Sequence, residues 1–364
     1  MHGAGGGGNR LRQGFHSGRP CLDTPRALTH SEVMRSPGLT DLQVNGYAGV
    51  DFNDAALTAD ALDHALDAMH RANVTVCLPT LITAGEAILA ARLSALDNAV
   101  ARSRLGPLMV PGFHLEGPFL SPDPGYAGCH PASAMIDPDP AVLRRLTKNL
   151  RRPILLLTLA PERPGAMALI AWARSSGMVV AMGHTRADSA ITSEAVTTGV
   201  SLSTHLGNAL PQPQPKFLNP LMAQLASDGL SASFIADGIH IPPDALKVML
   251  RAKTPSRSIL ITDATAAAGA PPGLYPFAGV TVQHTADGSV RVPGGTTLAG
   301  SALRLDQAVR NLLAWNLTDA ATALAMASSQ PNALLGPALA HHRITLPRTF
   351  VTWTKDLHPR PGQA

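Results

Sequence analysis

The sequence predicts an α/β protein, a (β/α)8 TIM-like barrel with a reduced accessory β segment from the C-terminal tail. Three observations carry this expectation. From Pro37 onward, short apolar or β-branched runs alternate with helix-length stretches, and eight such pairs follow one another. A polar residue able to do chemistry stands where nearly every run stops, and in a barrel those strand ends share one rim. No GxGxxG follows the first run, so the dinucleotide signature of a doubly wound sheet is missing.

Residues 1–37 are rich in Gly, Arg and Ser without periodicity and read as a disordered or loosely attached segment. The barrel is expected over residues 38–336. Its strands are read at Leu39–Val44, Val74–Pro79, Leu108–Glu116, Ile154–Ala160, Met178–His184, Val200–His205, Ser231–Asp237 and Ser258–Asp263. Each is a short run dominated by apolar or β-branched residues, as buried parallel strands tend to be. The intervening helices are read at Asp60–Arg71, Gly85–Ala101, Pro140–Leu150, Gly165–Ser175, Ala187–Thr198, Pro220–Ser227, Pro243–Arg251 and Ala302–Trp315. Thr58 and the pair Asp139-Pro140 are helix start signals, since a short polar side chain caps free N–H groups and proline fits the first turn. Residues 274–292 read as a hairpin inserted after the eighth strand, because alternation flanks Asp287-Gly288. The tail, 337–364, is expected to carry one or two accessory strands within Ile344–Trp353.

Composition narrows the function. Of the 364 residues, 45% are hydrophobic and only 4% aromatic, with a net charge of +4 and no long basic block. A nucleic-acid partner is therefore not expected. No apolar run reaches the ~18 residues a membrane span needs, and no signal-peptide core is visible, so no membrane partner is expected either. Cys21, Cys77 and Cys129 form no CxxC pair, which argues for a reducing, cytoplasmic setting.

The chemistry concentrates in GFHLEGPFLSPDPGYAGCHP, residues 112–131. Glu116 ends the third run there. His184 ends the fifth and His205 the sixth. One carboxylate and two imidazoles, with a fourth position left for water, form a catalytic metal set suited to zinc or ferrous iron. Asp263 ends the eighth run, where a carboxylate can take a proton from that water. Asn208, Lys216 and His240 are further donors at the same rim.

In DLQVNGYAGVDFND, LPTLIT, HLEGPFLSP, GHTRADS, STHLGNALP, ADGIHIPP, ITDATAAAG and TLAGSALRLDQAVRNL, the chain resembles the N-acetylglucosamine-6-phosphate deacetylases of the amidohydrolase superfamily. The resemblance covers residues 37–336. It implies hydrolysis of an N-acetyl amino-sugar phosphate to acetate and the amino sugar. It also implies metal ligands Glu116, His184 and His205 and an acid/base at Asp263. Cys129, His130, Asn208, Ala209, Asp237 to His240, and Leu298, Ala299 and Gly300 match substrate-contacting segments. Gln43-Val44-Asn45 stands where many amidohydrolases have HxH, so one divalent metal ion per chain is expected. Lys216 stands where the family often has arginine for the phosphate, and family analogy implies a homodimer. An unphosphorylated N-acetyl sugar and a non-catalytic sugar-binding barrel are the alternative readings.

Overall fold

The structure, a computed structural model, describes residues 34–354 and 356–358 together with Met1 and Gly3. Residues 4–33, with most of the segment expected to be disordered, lie outside the described residues. Eight parallel strands follow one another in chain order: β1 (Leu39–Val44), β2 (Val74–Ile82), β3 (Phe113–Glu116), β4 (Ile154–Leu159), β5 (Val179–Met182), β6 (Val200–Ser203), β7 (Ser231–Ile235) and β8 (Ser258–Ile261). Every residue of the long runs VTVCLPTLI and ILLLTL is buried, because the strands are covered by helices outside and side chains inside.

The barrel is a sheet whose first and last strands meet. Val44 and Ala264 form a parallel bridge, Asn45 N donates to Ala264 O at 2.7 Å, and Asp263 N donates to Gln43 O at 2.9 Å. Side chains reinforce the seam. Asp41 turns into the seam from β1, whose pairing with β2 shifts register between Asp41 and Val44; Gln43 follows in β1 and Asn45 just past its end. Asp41 accepts from Thr262 Oγ1 at 2.6 Å and Thr262 N at 3.2 Å, and Gln43 and Asn45 both reach Asp263. Thr40, on the other face, points outward and donates to Asn332 at 2.8 Å.

The helices α1 (Ala59–Arg71), α2 (Glu86–Arg102), α3 (Pro140–Thr147), α4 (Ala166–Ser175), α5 (Ser189–Thr198), α6 (Pro220–Ala226), α7 (Pro243–Lys253) and α8 (Leu305–Ala314) each follow a strand. The expected start signals operate: Thr58 Oγ1 accepts from Ala61 N at 3.2 Å, and Asp139 Oδ1 from Ala141 N at 2.8 Å. Among the described residues, no helix is long and apolar enough to cross a membrane.

Four expectations need correction. The third strand begins at Phe113, not Leu108, because Gly106–Met109 forms a short helix with proline in its first turn. The hairpin gains a third strand: Gly273–Phe277, Val280–His284 and Val290–Arg291 form one antiparallel sheet. The first 37 residues are not all outside the fold. Met34–Pro37 pairs antiparallel with Phe350–Trp353, so the accessory β segment is built from both ends of the chain. Finally, residues 337–341 belong to the helix Ser329–His341, so the tail does not begin as a separate segment. Trp353 anchors the terminal sheet; it is 1% exposed and its Nε1 donates to Ser36 Oγ at 2.8 Å.

Candidate active site

The rim at the carboxyl ends of the strands collects the polar residues. Glu116 closes β3, His184 lies two residues beyond β5, His205 two beyond β6 and Asp263 two beyond β8. His184, His205 and Asp263 have left-handed backbones, with φ of +50°, +30° and +49°. Such conformations are uncommon outside glycine and persist only where the surroundings hold them, which fits their clustering at a functional mouth. Gly117 also has φ +84°, and a Cβ there would lie 2.2 Å from Thr83 Oγ1.

Glu116, His130, His184 and His205 are each at most 6% exposed. Nε2 of His205 is 2.9 Å from Glu116 Oε1, Nε2 of His184 3.5 Å from the same oxygen, and Nε2 of His130 3.6 Å from Oε2. Three imidazoles thus aim one ring nitrogen at one carboxylate. Their outer nitrogens set the tautomers. His184 Nδ1 donates to Tyr126 O at 2.7 Å, which leaves its Nε2 lone pair facing inward. His130 Nδ1 is 2.9 Å from Thr83 Oγ1, whose own proton goes to Glu116 O at 3.4 Å, so His130 also presents a bare Nε2. Burial pushes His130 down to about 4, with the neighbouring His184 adding to the shift. Burial alone would raise Glu116, but its imidazole surroundings, with His205 at 2.9 Å contributing both a hydrogen bond and charge, hold it well below the usual carboxylate range.

This donor set fits a divalent cation: a buried carboxylate and inward imidazoles, two of them oriented from behind. The three whose ligand atoms lie within 4.8 Å of one another are Glu116, His130 and His184. His130, expected as a substrate contact, therefore sits inside the cluster, facing Glu116 Oε2, while the expected ligand His205 meets Oε1, the oxygen it shares with His184.

Asp263 faces an open cleft of 1470 Å³ that also exposes Glu116, His130, His184, His205 and His240. Burial, then the nearby Glu116 charge, pushes Asp263 up to about 6. That is a useful value for a group that must accept and return a proton near neutrality. His240 is held through Nδ1 by Asp237 Oδ2 at 2.6 Å, and Asp237 Oδ1 accepts the backbone N–H groups of Ile239 and His240.

Most of the other expected contacts line the cleft: Cys129, Asn208, Ala209, Leu298 and Gly300. Burial, then the Asp263 and Glu116 charges, push the Cys129 thiol up to about 12. Three expected residues are elsewhere, Asp237 standing behind His240 rather than on the cleft wall. Ala299 packs into the apolar cluster of Ile82, Phe277, Val282 and Val290. Lys216 is exposed on its proline-rich loop and is not part of the cleft wall, which among the described residues contains no Arg or Lys. Sequence reasoning missed Thr83 and Tyr126, which orient the imidazoles. It also assigned no role to Glu162, which accepts from Thr185 Oγ1 and from Arg186 N at 2.9 Å and so clasps the segment after His184.

No protein-family model matches the chain. The sequence is 34% identical over 278 residues to an N-acetylglucosamine-6-phosphate deacetylase of Bacillus subtilis, across 76% of this chain and 69% of that one. It is 34% identical over 315 residues to an N-acetylgalactosamine-6-phosphate deacetylase of Escherichia coli, across 86% of this chain and 81% of that one. The chain belongs to the N-acetylglucosamine-6-phosphate deacetylase family. The crystal structure of the Mycobacterium smegmatis deacetylase superposes with a TM-score of 0.78 at 31% identity, covering 94% of this chain and 89% of that one. The family is one of metal-dependent amidohydrolases, in keeping with the carboxylate–imidazole cluster at the barrel mouth. As a family member the chain is a hydrolase on a TIM-like barrel.

Proposed function

We propose that this deacetylase hydrolyses the acetamido group of N-acetylglucosamine-6-phosphate to acetate and glucosamine-6-phosphate. The observation that carries the reading is the buried Glu116–imidazole cluster opposite a clamped Asp263, on a chain of this family. Glu116, His184 and His205 would hold one divalent cation, zinc or ferrous iron, since all three sit at strand ends fixed by the barrel. Such an ion supplies Lewis-acid polarisation and a more acidic water. Asp263 accepts the water's proton and returns it to the nitrogen of the leaving amine. His130, held by Thr83, presents Nε2 to the acetamido group. His240, held by Asp237, keeps Nε2 free for the sugar, beside Asn208 and Leu298. Lys216, exposed next to Phe217 and Leu218 at 74% and 89%, fits a role at a homodimer interface better than one in its own cleft. The unpaired Cys77 and Cys129 agree with a cytoplasmic location.

A second reading follows from the absence of Arg and Lys from the cleft wall among the described residues: an unphosphorylated N-acetyl sugar as substrate. Acetate release from N-acetylglucosamine-6-phosphate, N-acetylgalactosamine-6-phosphate and N-acetylglucosamine, measured side by side, separates the two. The main reading expects turnover of the first and little of the third. Equal turnover of phosphorylated and plain sugars would favour the second. Counting bound metal in His205→Asn and His130→Asn tests the ligand set: the first should lose the ion and the second keep it.

A further inference from the structure

We infer that Gln43 and Asn45 are positioning residues for Asp263, a pair of neutral amide donors that locks one carboxylate oxygen and leaves the other to carry the proton. The inference rests on the acid/base role proposed above for Asp263. Gln43 Nε2 lies 3.1 Å and Asn45 Nδ2 2.8 Å from the same oxygen, Asp263 Oδ1. Both amides are buried, at 2% and 1% exposure. Gln43 lies in β1 and Asn45 just past its end, and the two side chains converge on that one oxygen.

A carboxylate oxygen offers two lone pairs, and here both are taken. Among the described residues no hydrogen bond engages Oδ2, which is not a buried orphan either and so keeps access to the cleft that Asp263 lines. The amide orientations are fixed chemically, because turning either one would set a carbonyl against a carboxylate oxygen. Asn45 Oδ1 is itself buried without a partner. Leaving an acceptor unmatched costs free energy. An amide kept in that state is held there for its donor end. The backbone adds to the hold, since Asp263 N donates to Gln43 O at 2.9 Å and Ser301 N to Asp263 O at 2.9 Å. These bonds maintain the left-handed φ of +49° at Asp263. Neutral donors suit the task. A lysine or arginine in their place would orient the carboxylate but draw its pKa down and weaken it as a base.

The test is a double-mutant cycle. Gln43→Met and Asn45→Leu keep the side-chain volume and remove the donors. Each should lower kcat about tenfold with KM nearly unchanged. In an Asp263→Asn background the same substitutions should alter kcat less than about twofold, because their action runs through Asp263. Equal losses in both backgrounds, or losses carried by KM, would overturn the inference. Crystal structures of the two single variants decide it independently of the substrate. A rotated or disordered Asp263 carboxylate on an intact β1 supports it, and an unmoved carboxylate in both sinks it. Wild-type acetate release, judged separately, reports on the proposed reaction alone.

Discussion

Asp263 concentrates the chemistry in one side chain. It is placed by two amides, raised to about 6 by burial and the Glu116 charge, and open to the cleft. Asp263→Asn should therefore bind substrate with KM within a few-fold of wild type and lose kcat by about 10²–10⁴, the usual worth of a general base. Steady-state kinetics check this, and near-normal turnover would remove Asp263 from the mechanism. Asp41, on β1, behaves differently. Burial pushes its carboxyl up to about 7 from 3.8, against the hydrogen bonds from Thr262 and Gln43. The folded state thus holds the proton more tightly than the unfolded chain. Its contribution to stability is complete below about pH 4 and is lost as pH rises through about 7, amounting to about 4 kcal/mol at most. Asp41→Asn has no such titration, and Thr262 Oγ1 can donate instead to Gln43 O, 3.2 Å away. Its stability relative to wild type should climb between about pH 4 and 7 in urea titrations and level off above that, and a constant difference would refute the shift. The strand-end positions of Glu116, His184, His205 and Asp263 were legible because a polar residue closing an apolar run stands out. The approach of His130 to Glu116 was not, since it depends on how a 13-residue loop returns and on a hydroxyl, Thr83, just past the end of β2.

Elements repeat the lesson. All eight strand–helix pairs were visible, because hydrophobic period and capping residues are local signals. The terminal sheet was missed on one side. Met34–Pro37 is MRSP, too short and polar to announce a strand, and it exists only because Phe350–Trp353 offers an edge some 300 residues later. That pairing depends on Trp353, which fills the space beneath the sheet. Trp353→Ala should cost about 3–5 kcal/mol, the range for emptying a buried tryptophan site. Trp353→Phe retains most of the packing and loses the bond to Ser36, for about 1 kcal/mol. Chemical denaturation of the two variants measures both. Since the sheet stands apart from the rim, kcat of each folded variant should match wild type. A kcat loss in Trp353→Phe would mean that the sheet communicates with the cleft.

The molecule as a whole separates a continuous apolar core from a small polar mouth. Leu155, Leu157, Phe234 and Leu260 are fully buried in the one core that spans barrel and helices. The four residues of the cluster come from two further strand ends, β3 itself and one loop. Removing the cation should therefore alter stability without dissolving the fold. A ligand that binds only the folded state at about 100 times its Kd adds about 2.7 kcal/mol. For a chain of 364 residues, with an unfolding entropy of about 2.1 cal/mol/K per residue, that corresponds to a Tm rise of roughly 3–4 °C. Chelation should lower Tm by that amount and abolish acetate release, while far-UV circular dichroism at 25 °C stays unchanged. Zinc and ferrous iron, added back singly, should each restore Tm. The one that also restores turnover is the catalytic metal. Glu116→Gln separates binding from packing: it keeps the side chain's shape but removes the charge that three imidazoles face. Its Tm should not respond to either metal. A metal-dependent Tm in that variant would place the cation elsewhere and leave the cluster as a buried ion pair between Glu116 and His205.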